Sequence, residues 1–349
     1  LQPFEAYKPT DEQWEALHIA AWLHDCGKIT TPEYVVDKAT KLETLYDRIH
    51  EIRTRFEVLK RDVWVQYWQS RAMGEDELQL IEQREAQLAA LDDDFAFVAR
   101  SNLGGEAMAD ADLQRLKTIA SRTWTRTLDD RLGVSWEENK RQTTREQQSL
   151  PVTESLLADK AEHLHTRPGS ELIAPDNPWG FQLDVPLYKF NRGELYNLST
   201  TRGTLTREER YIINNHIVQT IMMLTHLPFP SYLGNIAEIA GGHHEKMDGT
   251  GYPKRLKRKE MSLEARMMAI ADIFEALTAS DRPYKRGKTL SEALNIMAAM
   301  CHDAHIDPQL FELFIDQQLY LQYAQRFLEP QQIDAVDVQG LKRKAGLSA

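Results

Sequence analysis

Cysteine is nearly missing from this chain: Cys26 and Cys301 are the only two among 349 residues. Two thiols cannot build a disulfide framework, and such sparing use suits a reducing compartment. No stretch approaches the run of about 18 apolar residues that a membrane helix needs. No charged-then-apolar leader opens the chain either. Positive charge is in deficit: 42 Lys and Arg stand against 53 Asp and Glu, a net charge of −11. That balance argues against a general nucleic-acid surface, so no DNA partner is expected. An anionic substrate would have to be drawn by metals and a few local cations. With 42% hydrophobic and 27% charged residues, disorder is not the default. The chain opens with Leu1 rather than Met, which predicts a piece of a longer protein. It is expected in the cytoplasm, including as the cytoplasmic part of a membrane-anchored sensor.

Strand signals are also sparse, and helix starts are plentiful. Thr10 with Gln13, Thr206 with Glu209 and Thr289 with Glu292 read as capping boxes. They open segments through Trp22, over Tyr211–Thr225 and over Ala293–Met300. From Leu42 the apolar residues Leu42, Leu45, Ile49, Ile52, Phe56, Leu59 and Val63 alternate steps of three and four, a heptad seam. After a break at Met73-Gly74-Glu75-Asp76, a second seam runs through Leu78, Ile81, Leu88, Leu91, Phe95 and Val98. Two seamed helices joined by a short turn predict an antiparallel hairpin, the first helix about 45 Å long. Such a hairpin serves as a self-packed stalk or as a homodimer contact, with the stalk favoured. The expected fold class is all-α. Residues 102–191 carry short helical pieces and the clusters Arg167-Pro168-Gly169 and Pro175-Asp176-Asn177-Pro178, and suggest no mechanism.

Three clusters carry chemistry. His24-Asp25-Cys26-Gly27-Lys28 closes an apolar helix. His243-His244-Glu245-Lys246-Met247-Asp248-Gly249-Thr250-Gly251-Tyr252-Pro253 is the second. Ala271-Asp272-Ile273-Phe274, leading into Asp281-Arg282-Pro283-Tyr284-Lys285, is the third, and His216 lies between the first two. Adjacent residues on a helix diverge by about 100°. A His-Asp or His-His pair therefore serves two neighbouring ions more easily than one, and Asp25, with two oxygens, can bridge them. Imidazoles at His24, His216, His243 and His244 with carboxylates at Asp25 and Asp272 make a mixed nitrogen and oxygen set. Such a set without thiolate suits iron or manganese better than structural zinc. Two metals about 3.5–4 Å apart activate water and clamp the oxygens of a displacement at phosphorus. Lys28, one turn from His24, can meet a phosphate or the leaving oxygen, while Arg282 and Lys285 can hold the rest of an anionic substrate.

Each residue has a plainer reading. A lone His-Asp pair is usually a surface or capping pair, and Asp272, if buried, is satisfied as well by an arginine as by a metal. Asp248-Gly249-Thr250-Gly251 reads equally as a tight turn. Lys254, Arg255, Lys257, Arg258 and Lys259 read as a solvated basic loop. His18, His163, His165, His302 and His305 are assigned to packing and capping.

Taken in order, these clusters resemble the HD-GYP family of metal-dependent phosphohydrolases, a branch of the HD superfamily. His24 to Lys28 matches its HD-x-G-K, and His243 to Pro253 matches its HHE-x-x-D-G-x-G-Y-P without a mismatch. Leu205 to Glu209 with His216, the Asp272 helix with its Arg-Pro-Tyr element, and Asp307-Pro308 resemble further family stretches. The resemblance implies an HD-domain helical bundle split by an insertion, because Asp37 to Leu42 and Thr201 to Leu205 both resemble one continuous family segment. Expected divisions are 1–42 with 191–320 as the catalytic domain, 43–190 as a mainly helical insertion, and 321–349 as an extension.

It further implies metal ligands at His24, Asp25, His216, His243, His244 and Asp272, holding two or three divalent ions, iron or manganese. Lys28 and Asp25 would be catalytic; Lys28, Gly251, Tyr252, Arg282 and Lys285 would bind substrate. Three departures stand out. The Arg-Pro-Tyr element lies one residue further from Asp272 than usual, Arg255 and Arg258 replace frequent glycines, and the family's earlier histidine or glutamate would precede Leu1. The expected activity is hydrolysis of cyclic di-GMP to pGpG or GMP through a bridging hydroxide, with diguanylate cyclase (GGDEF) proteins as expected partners. The alternatives are a dinucleotide-binding or scaffold module with little turnover, and hydrolysis of the mixed cyclic GMP-AMP dinucleotide or another phosphate ester.

Overall fold

A computed structural model describes residues 4–142, 148–279 and 287–347. Arg282 and Lys285, with the Arg-Pro-Tyr element, lie outside the described residues. The chain divides into two compact units, 1–32 with 173–185 and 212–349, and 33–172 with 186–211. Among the described residues, helix dominates. The only sheets there are two antiparallel pairs, Thr123–Arg126 with Val152–Ser155 and Leu164–Thr166 with Tyr188–Asn191, four short strands that an all-α reading leaves out.

The first unit is built from helices whose starts follow the capping chemistry. Thr10 accepts from the Gln13 amide and Gln13 answers to the Thr10 amide, opening Asp11–Leu23. Thr289 and Glu292 do the same for Leu290–His302. The helix expected over Tyr211–Thr225 is in fact two, Arg207–Asn214 and His216–His226, so His216 stands at a helix start. Helices Leu263–Thr278, Leu290–His302 and Pro308–Asp316 pack through Phe274, Leu294, Met297 and Phe311, all nearly or fully buried. Residues beyond 320 join this same core through Ala324, Leu341 and Ala345.

Asp307 is completely buried. It caps Pro308–Asp316 and accepts from Arg258 Nε at 2.8 Å and from Arg266. Arg258, itself part-exposed, is therefore paired with a buried carboxylate instead of standing free in a solvated basic loop. Arg255 adopts φ +58°, the left-handed region that glycine enters without strain, which explains why a glycine suits that position.

In the second unit the hairpin exists with different limits. Its helices are Ile49–Ala72 and Glu77–Asn102, joined through Gly74 at φ +84° and capped by Asp76, whose side chain accepts from the Gln79 amide. The first helix has 24 residues, about 36 Å at 1.5 Å each, shorter than the seam implied. Leu42 is buried but precedes the helix, Leu45 is 88% exposed, and Leu78 gives way to Leu80 as the buried residue. Ile49, Ile52, Phe56, Leu91 and Val98 form the seam that is really buried.

This unit also buries charge. Lys38 Nζ lies 2.8 Å from Glu209 Oε1. Arg55 grips Glu194, with Nη1 at 2.9 Å from Oε2. Lys41, 2% exposed, has no carboxylate against it among the described residues; its Nζ donates to the Leu198 carbonyl at 2.9 Å. Burial pushes the Lys41 ammonium down to about 8 from 10.5. Between these values the folded state holds fewer protons than the unfolded chain, so this group's contribution to stability rises with pH across that window. Lys41→Met should then stabilise the unit at pH 7 by about 1–3 kcal/mol. The gain should shrink towards zero near pH 10, measured by urea unfolding; a gain independent of pH would contradict this.

Candidate metal centre

The short helical turn Cys26–Thr30 follows helix Asp11–Leu23 and packs on the first turns of His216–His226. A glycine is required at position 27, because a Cβ there would lie 2.0 Å from the His216 carbonyl oxygen and 2.6 Å from the Thr220 nitrogen. This close approach brings the His24-Asp25 pair against His216. His243 and His244 follow the helix Ile236–Gly241, and Asp272 comes from Leu263–Thr278.

The six residues meet. His24 Nε2 is 3.2 Å from Asp25 Oδ2 and 3.6 Å from Asp272 Oδ1. His216 Nε2 is 3.1 Å from Asp25 Oδ1 and 3.3 Å from His244 Nε2. The rings of His243 and His244 are 4.0 Å apart, and that of His24 meets His243 edge-on at 4.9 Å. Two overlapping groups have ligand atoms within 4.8 Å of one another: His216, His243 and His244, and His24, Asp25 and His243. Asp272 borders the second.

Protons decide what these atoms can do. Nδ1 of His24, His216 and His243 points at the carbonyl oxygens of Ala21, Ile213 and Ala240, at 2.7, 2.5 and 2.6 Å. A carbonyl only accepts, so each Nδ1 carries the hydrogen, and Nε2 is the atom that each ring turns into the cluster, a lone pair when the imidazole is neutral. His216 Nε2 then faces Asp25 Oδ1 lone pair to lone pair, and Asp25 Oδ1 has no well-formed hydrogen bond although it is buried. His243 Nε2 is likewise buried without a partner among the described residues. Ligands about 2.1 Å from one ion at right angles lie about 3 Å apart, close to the 3.1–3.3 Å spacings between these atoms. Donors and spacing fit a cation: the cluster could hold metal. His243 has one lone pair to give, so Asp25, with Oδ1 towards His216 and Oδ2 towards His24, is the residue that can span two ions.

The electrostatics agree. Hydrogen bonds to Asp25 and Asp272 push the His24 imidazole up to about 10, so a positive charge is favoured there. Burial pushes His243 down to about 4 and His244 well below its usual value, keeping both neutral donors. Burial resists ionisation of Asp25, but the contacts of its Oδ2 with His24 and with the Lys28 ammonium outweigh it and hold the carboxyl below its usual range. Lys28 Nζ, about half exposed, lies 2.6 Å from Asp25 Oδ2 at the edge of the cluster.

The long second motif acquires a physical reason residue by residue. Tyr252 stacks on His244 with ring centroids 4.9 Å apart. Gly251 passes so close to Glu245 and Lys246 that a Cβ would lie 2.3 Å from the Lys246 nitrogen. Asp248 accepts from the Thr250 amide at 2.8 Å, and Gly249 takes φ +84°. Glu245, 1% exposed, accepts from the amides of Lys254 and Leu256 at 2.6 and 2.8 Å and so ties the loop down behind the two histidines. Sequence reasoning gave Glu245 no role; its only signal was an acid beside two ligands. Thr220 was missed too, since nothing local marks it.

The remaining histidines lie elsewhere. His18 accepts from Trp22 Nε1 at 3.0 Å, and His163 Nδ1 accepts from the Lys160 amide at 3.2 Å. No helix among the described residues is long and apolar enough to cross a membrane.

Residues 151–310 match the family model described as HD domain. That stretch contains His216, His243, His244 and Asp272, whereas His24, Asp25 and Lys28 precede it and are joined to it by the fold. The chain is similar to a cyclic di-GMP phosphodiesterase of Pseudomonas aeruginosa, 40% identical over 113 residues, 32% of this chain and 26% of that protein. It is similar also to 3'3'-cGAMP-specific phosphodiesterase 3 of Vibrio cholerae, 42% identical over 110 residues, 31% of this chain and 23% of that protein. A cyclic di-GMP phosphodiesterase of Thermotoga maritima is 38% identical over 114 residues, 32% of this chain and 30% of that protein. The matches thus span roughly a quarter of each relative's length.

Proposed function

For a chain that carries an HD domain, we propose metal-dependent hydrolysis of a phosphodiester bond in a cyclic dinucleotide, with cyclic di-GMP as the first substrate. One observation supports this most: four imidazoles and two carboxylates from distant segments converge, and a buried His243 Nε2 among them has no partner among the described residues. His24, Asp25, His216, His243, His244 and Asp272 would hold two or three ions, iron or manganese by their mixed nitrogen and oxygen donors. Bound there, the ions would activate water and stabilise charge on the phosphoryl oxygens.

The chain's own residues do the rest. Asp25 stands between His24 and His216 and keeps the Lys28 ammonium at the edge of the centre, where it can neutralise a leaving 3′-oxygen. Tyr252, braced against His244, and Gly251 shape the loop beside the ligands, and Arg282 and Lys285 would grip the remaining phosphate. In this reading the protein acts in the cytoplasm against the product of diguanylate cyclases.

The relatives named for cyclic di-GMP and for 3'3'-cGAMP make both substrates the arms of one test. Protein loaded with Mn²⁺ or Fe²⁺ is incubated with each dinucleotide, and products are separated by chromatography. Linear dinucleotide or mononucleotide should appear from at least one, and chelation should stop it. Metal-loaded protein that binds either dinucleotide without cleaving it would replace the enzyme reading with the scaffold one.

A further inference from the structure

Thr220 lies outside the ligand set, yet it sits where the centre's two halves are joined. It is completely buried, one turn after His216 on the helix His216–His226. Its Oγ1 accepts a hydrogen bond from the Gly27 amide at 3.0 Å. Gly27 is itself buried, and its carbonyl accepts from Thr30 Oγ1 at 2.8 Å, so both backbone polar groups of this residue are taken up. The Asp25 carbonyl accepts from the Lys28 amide at 2.9 Å, which makes the turn from Asp25 to Thr30 one hydrogen-bonded unit.

The only space at Gly27 is filled by the helix carrying His216 and Thr220. The separation between the Asp25 turn and the His216 helix is thus set by two things, the missing Cβ and the Thr220 hydroxyl. On that separation depends the 3.1 Å distance from Asp25 Oδ1 to His216 Nε2.

We propose that Thr220 is a positioning residue for the metal centre, latching the Asp25 turn to the His216 helix so that the carboxylate can span two ions. The proposal rests on the metal reading above. Thr220 touches no reacting atom and acts through Gly27. A valine there would keep the shape but leave the Gly27 N–H buried without an acceptor. The turn then relieves that penalty by shifting, and the ligands part. Serine would keep the oxygen.

The test measures Mn²⁺ affinity directly, by the loss of the free-ion electron paramagnetic resonance signal on titration into chelator-stripped protein. Thr220→Val should weaken Mn²⁺ binding about 10–100-fold, the range for groups that orient metal ligands. Thr220→Ser should stay within a few-fold of wild type, which a general packing role would not require. Hydrolysis by Thr220→Val should need correspondingly higher free Mn²⁺ and approach the wild-type rate when saturated. Wild-type Mn²⁺ affinity in folded Thr220→Val overturns the latch, and so does an equal loss in Thr220→Ser. If Thr220→Val fails to fold by circular dichroism, Thr220→Ala gives the same readout. Should wild-type protein itself take up no Mn²⁺, Fe²⁺ or other divalent ion, the metal reading fails first, and that outcome is distinct from failure of the latch.

Discussion

Asp25→Ala is expected to empty the centre and slow hydrolysis of cyclic di-GMP by about 10³-fold or more. Among the described residues Asp25 is the one carboxylate that reaches His24, His216 and Lys28, at 3.2, 3.1 and 2.6 Å. Without it the two sides of the cluster have no common anion, and the charge that favours a cation beside His24 falls to Asp272 alone. Asp25→Asn keeps the volume and removes the charge; it should lose nearly as much, which separates electrostatics from packing. The measurements are bound Mn²⁺ or Fe²⁺ per chain and the initial rate, with circular dichroism to show that the variants fold. Wild-type rates in Asp25→Asn would remove this carboxylate from the mechanism. Lys28→Ala, by contrast, should leave metal content intact and reduce the rate, because the ammonium lies outside the ligand atoms.

Lys38→Met is expected to be the most damaging single substitution in the second unit, costing about 3–5 kcal/mol. The two side chains of the Lys38–Glu209 pair are 1% and 8% exposed. Burial pushes the Lys38 ammonium below its usual pKa while Glu209 opposes the shift, so each partner is tolerable only because of the other. Removing the lysine leaves a buried carboxylate that also accepts from the Thr206 amide at 2.9 Å. The double variant Lys38→Met with Glu209→Gln abolishes both charges and keeps a side-chain oxygen for Thr206. It should recover to within about 1 kcal/mol of wild type, since a matched neutral pair carries little of the desolvation penalty. Urea unfolding followed by tryptophan fluorescence reads this out, and the four tryptophans Trp64, Trp68, Trp124 and Trp136 belong to that unit. A Lys38→Met variant as stable as wild type would mean the pair is solvated in solution.

Helix starts were legible because capping is local: Thr10 and Gln13, or Thr289 and Glu292, are three residues apart and satisfy one another whatever the rest of the chain does. The turn at Gly74 between the hairpin helices was legible for the same reason. The seam was legible in period but not in extent, since a heptad pattern cannot say that Leu42 is buried by other means while Leu45 stays in solvent. The short strands escaped because a few residues carry too little periodicity to stand out.

At the site, the sequence by itself determined which side chains could bind metal and where a tight glycine turn could fall. Residue type and spacing settle the chemistry of a histidine pair or a Gly-x-Gly turn. Only the tertiary structure decided that His24, His216, His243 and Asp272 share one cluster, that Arg258 belongs to buried Asp307, and that Thr220 supports the Asp25 turn. Those facts are distances between segments far apart in the chain. They are set by how helices pack around small residues such as Gly27, and no window along the sequence contains both partners.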